Sequence, residues 1–154
     1  MSSSPGEETD VVRLNNMVCF NLHAASRAVT AVYRSLLEPL GLTYPQYLVL
    51  ATLWECGNLS VGELIQRLQL DYGTMTPLLK RMEKRGLVHR TRNPKDERTV
   101  IVSLAPDGEV LRTHSPGIYQ AICDTFEFTP ERAQAAQSVL LPIVERANKH
   151  NGVS

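Results

Sequence analysis

The 154-residue sequence lacks the features that mark several classes of protein. Its three cysteines are an odd number without CxxC spacing, and its four histidines are scattered with no pair four residues apart. These absences argue against a disulfide framework and a structural zinc site, so we expect no metal and no cofactor. The longest apolar run, residues 47–54, falls far short of the roughly 20 residues that span a bilayer. The N-terminus has neither the basic nor the apolar region of a secretory signal, so we expect a cytoplasmic protein with free thiols and no membrane contact.

Net charge is also absent, because 16 basic and 16 acidic residues cancel. The distribution is uneven, however: residues 71–98 hold eight basic and four acidic side chains. Such a surplus suits contact with nucleic acid, although a run of charge more often only solvates an exposed face. The charges alone therefore decide nothing, and the elements that carry them matter.

The N-terminal part of the chain predicts one long helix. Residues 1–10 are small and acidic and are expected to form a flexible tail. Over 11–40, apolar residues recur at spacings of three and four, which is typical of an amphipathic helix. Gly41 follows this pattern and is expected to end the helix, since glycine readily adopts the left-handed conformation found there.

Two capping boxes predict the next helices. Thr43 is followed three residues later by glutamine, and Ser60 three residues later by glutamate. Each pattern satisfies free amides at a helix start and predicts helices over 44–55 and from Ser60 to about residue 68. A fourth helix is expected over 73–85, with Pro77 near its first turn, where proline does least harm.

After the fourth predicted helix, the pattern of the sequence changes from helical spacing to strand-like segments. Residues 87–90 and 98–104 are rich in β-branched side chains and flank a polar stretch, which predicts a β-hairpin. Helical spacing returns over 106–126 and 130–149, the latter opened by Thr129 and Pro130. Proline breaks or kinks are expected at Pro116-Gly117 and at Pro142.

Helices joined by a tight turn and followed by a hairpin predict a winged helix-turn-helix over residues 43–104. The fold class is therefore mainly α with a small β-hairpin wing, in one domain. Hydroxyls and amides at the start of a helix suit bases and phosphates, and cations suit the DNA backbone. An arginine on the wing suits the minor groove, and Asp96 is expected to shape the wing turn and to pair with a cation. The candidate DNA-binding residues are Tyr72, Thr74, Thr76, Lys80, Arg81, Arg92, Asp96 and Arg98; the wing also carries Arg90 and Lys95.

From about residue 14 to 111, this order of elements and the run Asp96-Glu97-Arg98 resemble the MarR family of winged-helix regulators, whose wing carries an Asp-x-Arg motif. The resemblance implies a homodimer that binds double-stranded operator DNA. It also implies that the predicted helices over 11–40 and 106–149 form the dimer contact.

The match extends to one subgroup of that family, the organic hydroperoxide resistance regulators, in its two-cysteine form. The resemblance implies that Cys19 senses an organic hydroperoxide, that Tyr33 and Tyr44 hydrogen-bond its sulfur, and that Cys123 resolves the oxidised thiol. Two departures are His23, where some members have a tyrosine, and Ala105, where a hydroxyl often caps a helix. The runs that carry the match are Val18-Cys19-Phe20, Ser26-Arg27, Tyr33, residues 42–47, residues 70–80 and residues 96–100.

The spacing of Cys19 and Tyr33 has a consequence of its own. They are 14 residues apart on one predicted helix, hence about 21 Å along its axis. If they meet, Tyr33 comes from a second subunit and the site exists only in a dimer. The alternative is that Cys19 is an inert buried thiol, as free cysteines often are. Cys56 and Tyr47 are interpreted as structural.

Three functions stay open at this point. The first is a repressor that binds its operator when reduced and is released when Cys19 is oxidised by an organic hydroperoxide. The second is a repressor of the same fold released by a small aromatic or phenolic ligand. The third is a thiol peroxidase, which the sequence disfavours because no cation accompanies the cysteine to drive turnover. We therefore expect a regulator and not an enzyme.

Overall fold

The computed structural model describes residues 13–153, which are mostly helical around one small sheet. Three 3₁₀ turns, Leu14–Asn16, Glu38–Leu40 and Leu111–His114, flank or connect these elements. The tail predicted over 1–10 lies outside the described residues. The helices and strands are α1 (Val18–Leu37), α2 (Tyr44–Cys56), β1 (Leu59–Ser60), α3 (Val61–Leu68), α4 (Tyr72–Lys84), β2 (Val88–Asn93), β3 (Asp96–Leu104), α5 (Pro106–Val110), α6 (Ser115–Phe126) and α7 (Pro130–His150).

The first helix is shorter than the predicted range of 11–40. A 3₁₀ turn precedes α1, and a second one, Glu38–Leu40, follows it. Pro39 has no amide hydrogen to donate to the preceding turn, so the chain tightens there instead of continuing the α-helix. Gly41 then ends the segment with φ +65°, as expected.

Both predicted capping boxes are present. At the start of α2, the Thr43 hydroxyl accepts from the Gln46 amide and the Thr43 amide donates to the Gln46 side chain. At the start of α3, Ser60 and Glu63 make the same reciprocal pair, at 2.7 and 3.1 Å. These local bonds fix where the two helices begin, since they satisfy amides that have no partner within the helix.

The α4 helix starts one residue earlier than predicted, so Pro77 lies in its second turn and not near its first. The helix begins at Tyr72, capped by the Asp71 carboxylate that accepts from the Thr74 amide at 2.7 Å. Pro77 is therefore its sixth residue, where only the carbonyl of Gly73 loses a helical bond. Both residues are exposed, so water can take the place of that bond. The opposite face is buried through Met75, Leu78, Leu79 and Met82, whose spacing is typical of a single apolar stripe on a helix.

The sheet has three strands in the order β1-β3-β2, all antiparallel. The β2 and β3 strands form the predicted hairpin, so the helix-turn-helix with a wing is confirmed as an architecture. The two-residue strand β1 was not predicted, because it is too short to show an alternating pattern. It joins the wing to the start of α3, with Leu59 opposite Val102.

The core lies around α2, whose Val49, Leu50 and Leu53 are almost fully buried. The Trp54 indole donates to the Gly108 carbonyl of α5 at 3.1 Å. A Cβ on Gly108 would lie 2.1 Å from the Leu87 carbonyl, so only glycine lets α5 pack this closely.

The C-terminal part differs from the single predicted helix over 106–126. It forms α5, a 3₁₀ turn and α6, with Pro116 in the first turn of α6. Thr129 caps α7 as expected, through a bond from the Arg132 amide. The chain does not break at Pro142, which lies inside α7. No residue of α7 is buried.

Candidate functional site

The outer face of α4 is a continuous exposed surface. It carries Tyr72, Thr74, Thr76, Lys80 and Arg81, the five residues that the sequence predicted for this helix, and all of them are exposed. The buried stripe on the opposite side fixes this orientation. The Thr74 amide is already used by the Asp71 cap, whereas the Thr74 side chain makes no hydrogen bond within residues 13–153. The face therefore offers hydroxyls at its N-terminal end and cations further along.

A cleft of about 320 Å³ separates α4 from the wing. Tyr72 and Thr76 line its α4 side, and Arg98 and Thr99 line its wing side. The Tyr72 hydroxyl lies against Gly62, where an added Cβ would be 3.4 Å away. Two of the predicted helix residues and the predicted wing arginine thus face one groove.

The tip of the wing is organised by Asp96. One carboxylate oxygen accepts from the Arg98 amide at 3.1 Å, and the other accepts from the Thr99 hydroxyl at 3.0 Å. Asp96 therefore shapes the turn, as expected. The cation that it was expected to pair with is not found among the described residues, where no lysine or arginine forms an ion pair with Asp96.

The wing cations are not equivalent. Arg98 is exposed and its guanidinium makes no hydrogen bond within the described range. Arg92 is exposed but donates to the Glu97 carbonyl at 3.3 Å, across the hairpin. Lys95 is exposed at the turn, where its amide donates to the Asn93 side chain. Arg98 is thus the wing arginine most available to a ligand.

Two of the cations in residues 71–98 bond to other parts of the protein. Arg85 donates to the Gly41 carbonyl and joins the end of α4 to the loop before α2. Arg90, counted with the wing cations in the sequence, is 23% exposed and pairs with Glu83 of α4 at 3.1 Å. The Arg90 amide also donates to Glu83, at 3.0 Å. The Arg90 side chain, and to a smaller extent this amide, lower the pKa of the Glu83 carboxyl below its ordinary value of 4.5. Arg90 is therefore a wing residue, as the sequence indicated, but its guanidinium is bonded to α4.

A cluster of tyrosines lies where α1, α2 and α6 meet. The rings of Tyr33 and Tyr44 stack with centroids 4.3 Å apart, and Tyr47 lies 5.9 Å from Tyr33. Tyr47 is buried and its hydroxyl is 3.3 Å from the Ser115 hydroxyl, so it is a core residue as expected. Tyr33 and Tyr44 are only partly buried.

Burial raises the pKa of Tyr33 to about 12, with smaller contributions from Tyr44, Tyr47, Cys123 and Tyr119. Burial also raises the pKa of Tyr44, with a further contribution from Tyr47. Both hydroxyls consequently stay protonated at neutral pH and can donate a hydrogen bond. Cys123 is near enough to Tyr33 to contribute to this shift, so the half-buried thiol of α6 belongs to the same cluster.

Cys19 lies elsewhere. It is exposed in the first turn of α1, and Tyr33 is in the fifth turn of the same unbroken helix. Along that axis the two residues are about 21 Å apart, so Cys19 cannot reach the tyrosine cluster of its own chain. The structure brings together three of the four predicted thiol-site residues and leaves Cys19 apart. Cys56 packs against the hydrophobic core.

Tyr119 is a member of the cluster that the sequence reasoning missed. It is 66% exposed, one turn before Cys123 on α6. The neighbouring Cys123 side chain raises the pKa of the Tyr119 hydroxyl above its ordinary value. The spacing of four residues on a predicted helix was the available signal.

Across residues 13–153, none of the helices combines the length and the apolar character that a membrane span requires. Within the same range, no group of three histidine, cysteine, aspartate or glutamate side chains is placed to hold a metal ion.

Comparisons with known proteins identify the family. The sequence profile of the MarR family matches residues 42–100. The organic hydroperoxide resistance transcriptional regulator of Bacillus subtilis is 41% identical over 142 residues, which cover 92% of this chain and 97% of that protein. The chain belongs to the MarR family of transcriptional regulators. The regulator TtmR of Methylorubrum extorquens is 50% identical over 103 residues, which cover 67% of this chain and 53% of TtmR.

Solved structures of MarR-type regulators share the fold. Reduced AbfR bound to DNA is 33% identical and superposes with a TM-score of 0.69, over 90% of this chain and 95% of AbfR. AbsC of Streptomyces coelicolor is 22% identical with a TM-score of 0.78, over 90% of this chain and 97% of AbsC, and shows the fold alone. The mainly helical architecture with a small wing is therefore confirmed.

Proposed function

We propose that this MarR-family protein is a dimeric, redox-sensing repressor. It binds operator DNA when reduced and is released when an organic hydroperoxide oxidises Cys19. It acts in the cytoplasm, where bacterial operator DNA lies. The observation that carries the proposal is the separation of Cys19 from a cluster of Tyr33, Tyr44 and Cys123 in the same chain. In the proposed dimer, a second subunit brings its Tyr33, Tyr44 and Cys123 to the Cys19 thiol.

The exposed apolar surface supports a homodimer. Of the 20 residues in α1 only Leu37 is buried, and none of α7 is. A single chain leaves a surface of this kind in contact with water only at a cost in free energy. We therefore propose that α1, α6 and α7 form the dimer contact, in one domain with the winged helix-turn-helix. The exposed apolar residues of the terminal helices are Val18, Phe20, Tyr119, Val139, Leu140, Leu141, Ile143 and Val144.

In that dimer, Cys19 of one subunit lies beside Tyr33 and Tyr44 of the other. Two protonated phenols donating to the sulfur stabilise the thiolate, which is the form that attacks a peroxide. The thiolate sulfur takes the terminal oxygen of the hydroperoxide and forms a sulfenic acid, and the peroxide leaves as an alcohol. Cys123 then condenses with the sulfenic acid, forming the disulfide and releasing water.

The DNA-binding part of the proposal uses the exposed face of α4 and the wing. The α4 helix lies in the major groove, where Tyr72, Thr74 and Thr76 face bases or phosphates and Lys80 and Arg81 face the backbone. Arg98 enters the minor groove, with Arg92 and Asp96 supporting the wing. AbfR, whose reduced form was solved on DNA, supports this reading by similarity of fold and sequence.

Release follows from geometry. Two sulfurs can bond only when their Cα atoms come within about 7 Å, so oxidation moves backbone if the reduced thiols are farther apart. We propose that this movement changes the spacing of the two α4 helices, which must match half-sites about 34 Å apart. AbfR has also been solved in a disulfide form, 32% identical to this chain with a TM-score of 0.58 over 92% of this chain and 94% of AbfR.

One observation favours a second candidate, release by a small aromatic ligand. An open groove of about 450 Å³ lies between α2 and α6, lined by Tyr47, Trp54, Tyr119 and Arg112. Aromatic walls suit a small aromatic or phenolic ligand; Glu55 also lines the groove, and Arg112 is paired with Glu109. Such a ligand would release DNA without any change at Cys19.

Operator binding before and after one equivalent of organic hydroperoxide, with and without added thiol, separates these functions. Release that thiol reverses supports the redox repressor. Indifference to peroxide together with release by an aromatic acid supports the second candidate. Consumption of many equivalents of peroxide per protein would show a thiol peroxidase and overturn the proposal.

A further inference from the structure

Glu83 and Arg90 join α4, the helix proposed to enter the major groove, to the wing. Both oxygens of the Glu83 carboxylate are used: one accepts from the Arg90 amide at 3.0 Å and the other from the Arg90 guanidinium at 3.1 Å. Glu83 lies in the last turn of α4, and Arg90 lies in the middle of β2. Backbone and side chain of one strand residue are thus held by a single helix residue.

This contact occupies an edge of the sheet. Since β3 lies between β1 and β2, the outer side of β2 has no neighbouring strand. The Arg90 amide on that side bonds to Glu83. Glu83 therefore holds the outer edge of the wing against α4, at a point two residues before Arg92.

Beyond this contact the helix and the wing diverge. The cleft between them is lined by Thr76 on one side and Arg98 on the other; Arg90 also lines it, with its guanidinium bonded to Glu83. Thr76 and Arg98 must reach neighbouring grooves of DNA at the same time if the protein reads its operator as proposed above. Their separation depends on the angle at which the hairpin leaves α4, and the Glu83–Arg90 contact lies at the base of that angle.

Among the described residues, Glu83 is the partner that holds the Arg90 guanidinium in its partly buried position. The Arg90 side chain is 23% exposed, and its Nε is buried without a hydrogen-bond partner among the described residues. Without Glu83, the arginine would be a half-buried cation with no counter-ion, which is costly. Loss of the carboxylate would therefore release the arginine toward solvent and loosen the base of the wing.

We infer that Glu83 and Arg90 are positioning residues for DNA recognition, which set the angle between α4 and the wing and do not themselves contact DNA. The inference rests on the proposed DNA-binding function. The effect that it predicts for DNA affinity is opposite in sign to the effect expected from charge repulsion alone. Neutralising an acidic side chain near a DNA-binding face normally strengthens binding, because repulsion of the phosphates is removed. At Glu83, neutralisation weakens specific binding.

The test compares Glu83→Gln with Glu97→Gln, which removes the same charge from a wing carboxylate without a side-chain contact in the described part of the chain. We expect Glu83→Gln to weaken operator binding about tenfold, equivalent to loss of one wing contact, with unchanged or tighter binding to random DNA. Glu97→Gln should bind both DNAs as tightly as the wild type or more tightly. Operator affinity that is equal or higher in Glu83→Gln would overturn the inference.

Footprinting adds a readout that general destabilisation would not move. In Glu83→Gln, minor-groove protection from hydroxyl radicals should weaken, while protection of guanine N7 in the major groove persists. A double-mutant cycle with Arg90→Gln should be non-additive, the double variant binding no worse than either single one. Additive losses would mean that Arg90 contacts DNA directly and would refute the positioning role.

The free protein provides a measurement that does not depend on DNA. Amide hydrogen exchange over residues 88–93 should accelerate in Glu83→Ala and not in Glu97→Ala. If the wild-type protein prefers no DNA sequence, the proposed function fails while this exchange difference still reports on the contact. Equal exchange in the two variants would overturn the inference even if operator binding is found.

Discussion

Tyr33 and Tyr44 stack with their ring centroids 4.3 Å apart, although one lies in α1 and the other opens α2. This contact brings two hydroxyls to one place on the surface where a second subunit can deliver Cys19. If the hydroxyls stabilise the Cys19 thiolate, Tyr33→Phe should slow its reaction with an organic hydroperoxide without abolishing it. Tyr47→Phe is the matched control, since its hydroxyl faces Ser115 in the core. Equal rates of thiol loss in the wild type and Tyr33→Phe would contradict the assignment.

The raised pKa of Tyr33 predicts a dependence on alkaline pH. The folded value is about 12 against an ordinary value of 10, so the folded state keeps its proton where the unfolded state loses it. The stabilisation is complete below pH 10 and is lost as pH rises through 12. The free energy of unfolding should therefore fall more steeply over this range in the wild type than in Tyr33→Phe. Parallel curves would show that Tyr33 titrates normally.

The assignment of the two thiols predicts the outcome of non-reducing electrophoresis after peroxide treatment. Wild type should give a band of dimer mass, which Cys19→Ser and Cys123→Ser should both lack. Cys19→Ser should also keep its operator bound, because serine preserves size but cannot be oxidised. Cys56→Ser serves as the control and should behave as wild type, since Cys56 packs against the core. A dimer band that persists in either of the first two variants would exclude this pairing.

Arg98 should contribute to operator binding. Replacing it by alanine removes an exposed guanidinium from the cleft beside α4, and we expect a loss of about 1 to 3 kcal/mol in binding free energy. Arg112→Ala, which removes an exposed arginine paired with Glu109 on the far side of α2, should leave operator binding unchanged. Fluorescence anisotropy at physiological salt measures both. Wild-type affinity in Arg98→Ala would refute the role of the wing.

Replacing Gly108 and Gly117 by alanine should change the stability of the protein in opposite directions. Gly108→Ala places a Cβ against the Leu87 carbonyl, where α5 packs on the base of the wing, and should lower the free energy of unfolding by about 1 to 3 kcal/mol. Gly117→Ala, in the first turn of α6 with no atom within 4 Å of the new Cβ, should raise it by up to about 1 kcal/mol. Chemical denaturation of the reduced proteins measures both changes. A neutral Gly108→Ala would mean that α5 can shift outward freely.

Local signals in the sequence determined much of the fold. Thr43 and Ser60 fix the starts of α2 and α3 through bonds to residues three positions away, so the pattern in the sequence contains the whole interaction. The buried stripe of α4 likewise follows from its spacing, which is why the exposed face with Thr76 and Lys80 was predicted correctly. The comparisons confirmed the family resemblance. That resemblance, and not the local sequence pattern, is the source of the prediction that Tyr33 and Tyr44 support a sensing thiol at Cys19.

Tertiary structure decided what depends on contacts between distant residues. The sequence places both Arg90 and Arg98 on the wing, but only the packing shows that Arg90 bonds to Glu83 of α4 while Arg98 stays exposed. Similarly, nothing local places Tyr33 against Tyr44 or near Cys123, because helices α1, α2 and α6 must first pack together. The axial distance from Cys19 to Tyr33 followed from the sequence alone, since a helix has a fixed rise per residue. The residues around Tyr33 are set by the packing of the whole chain.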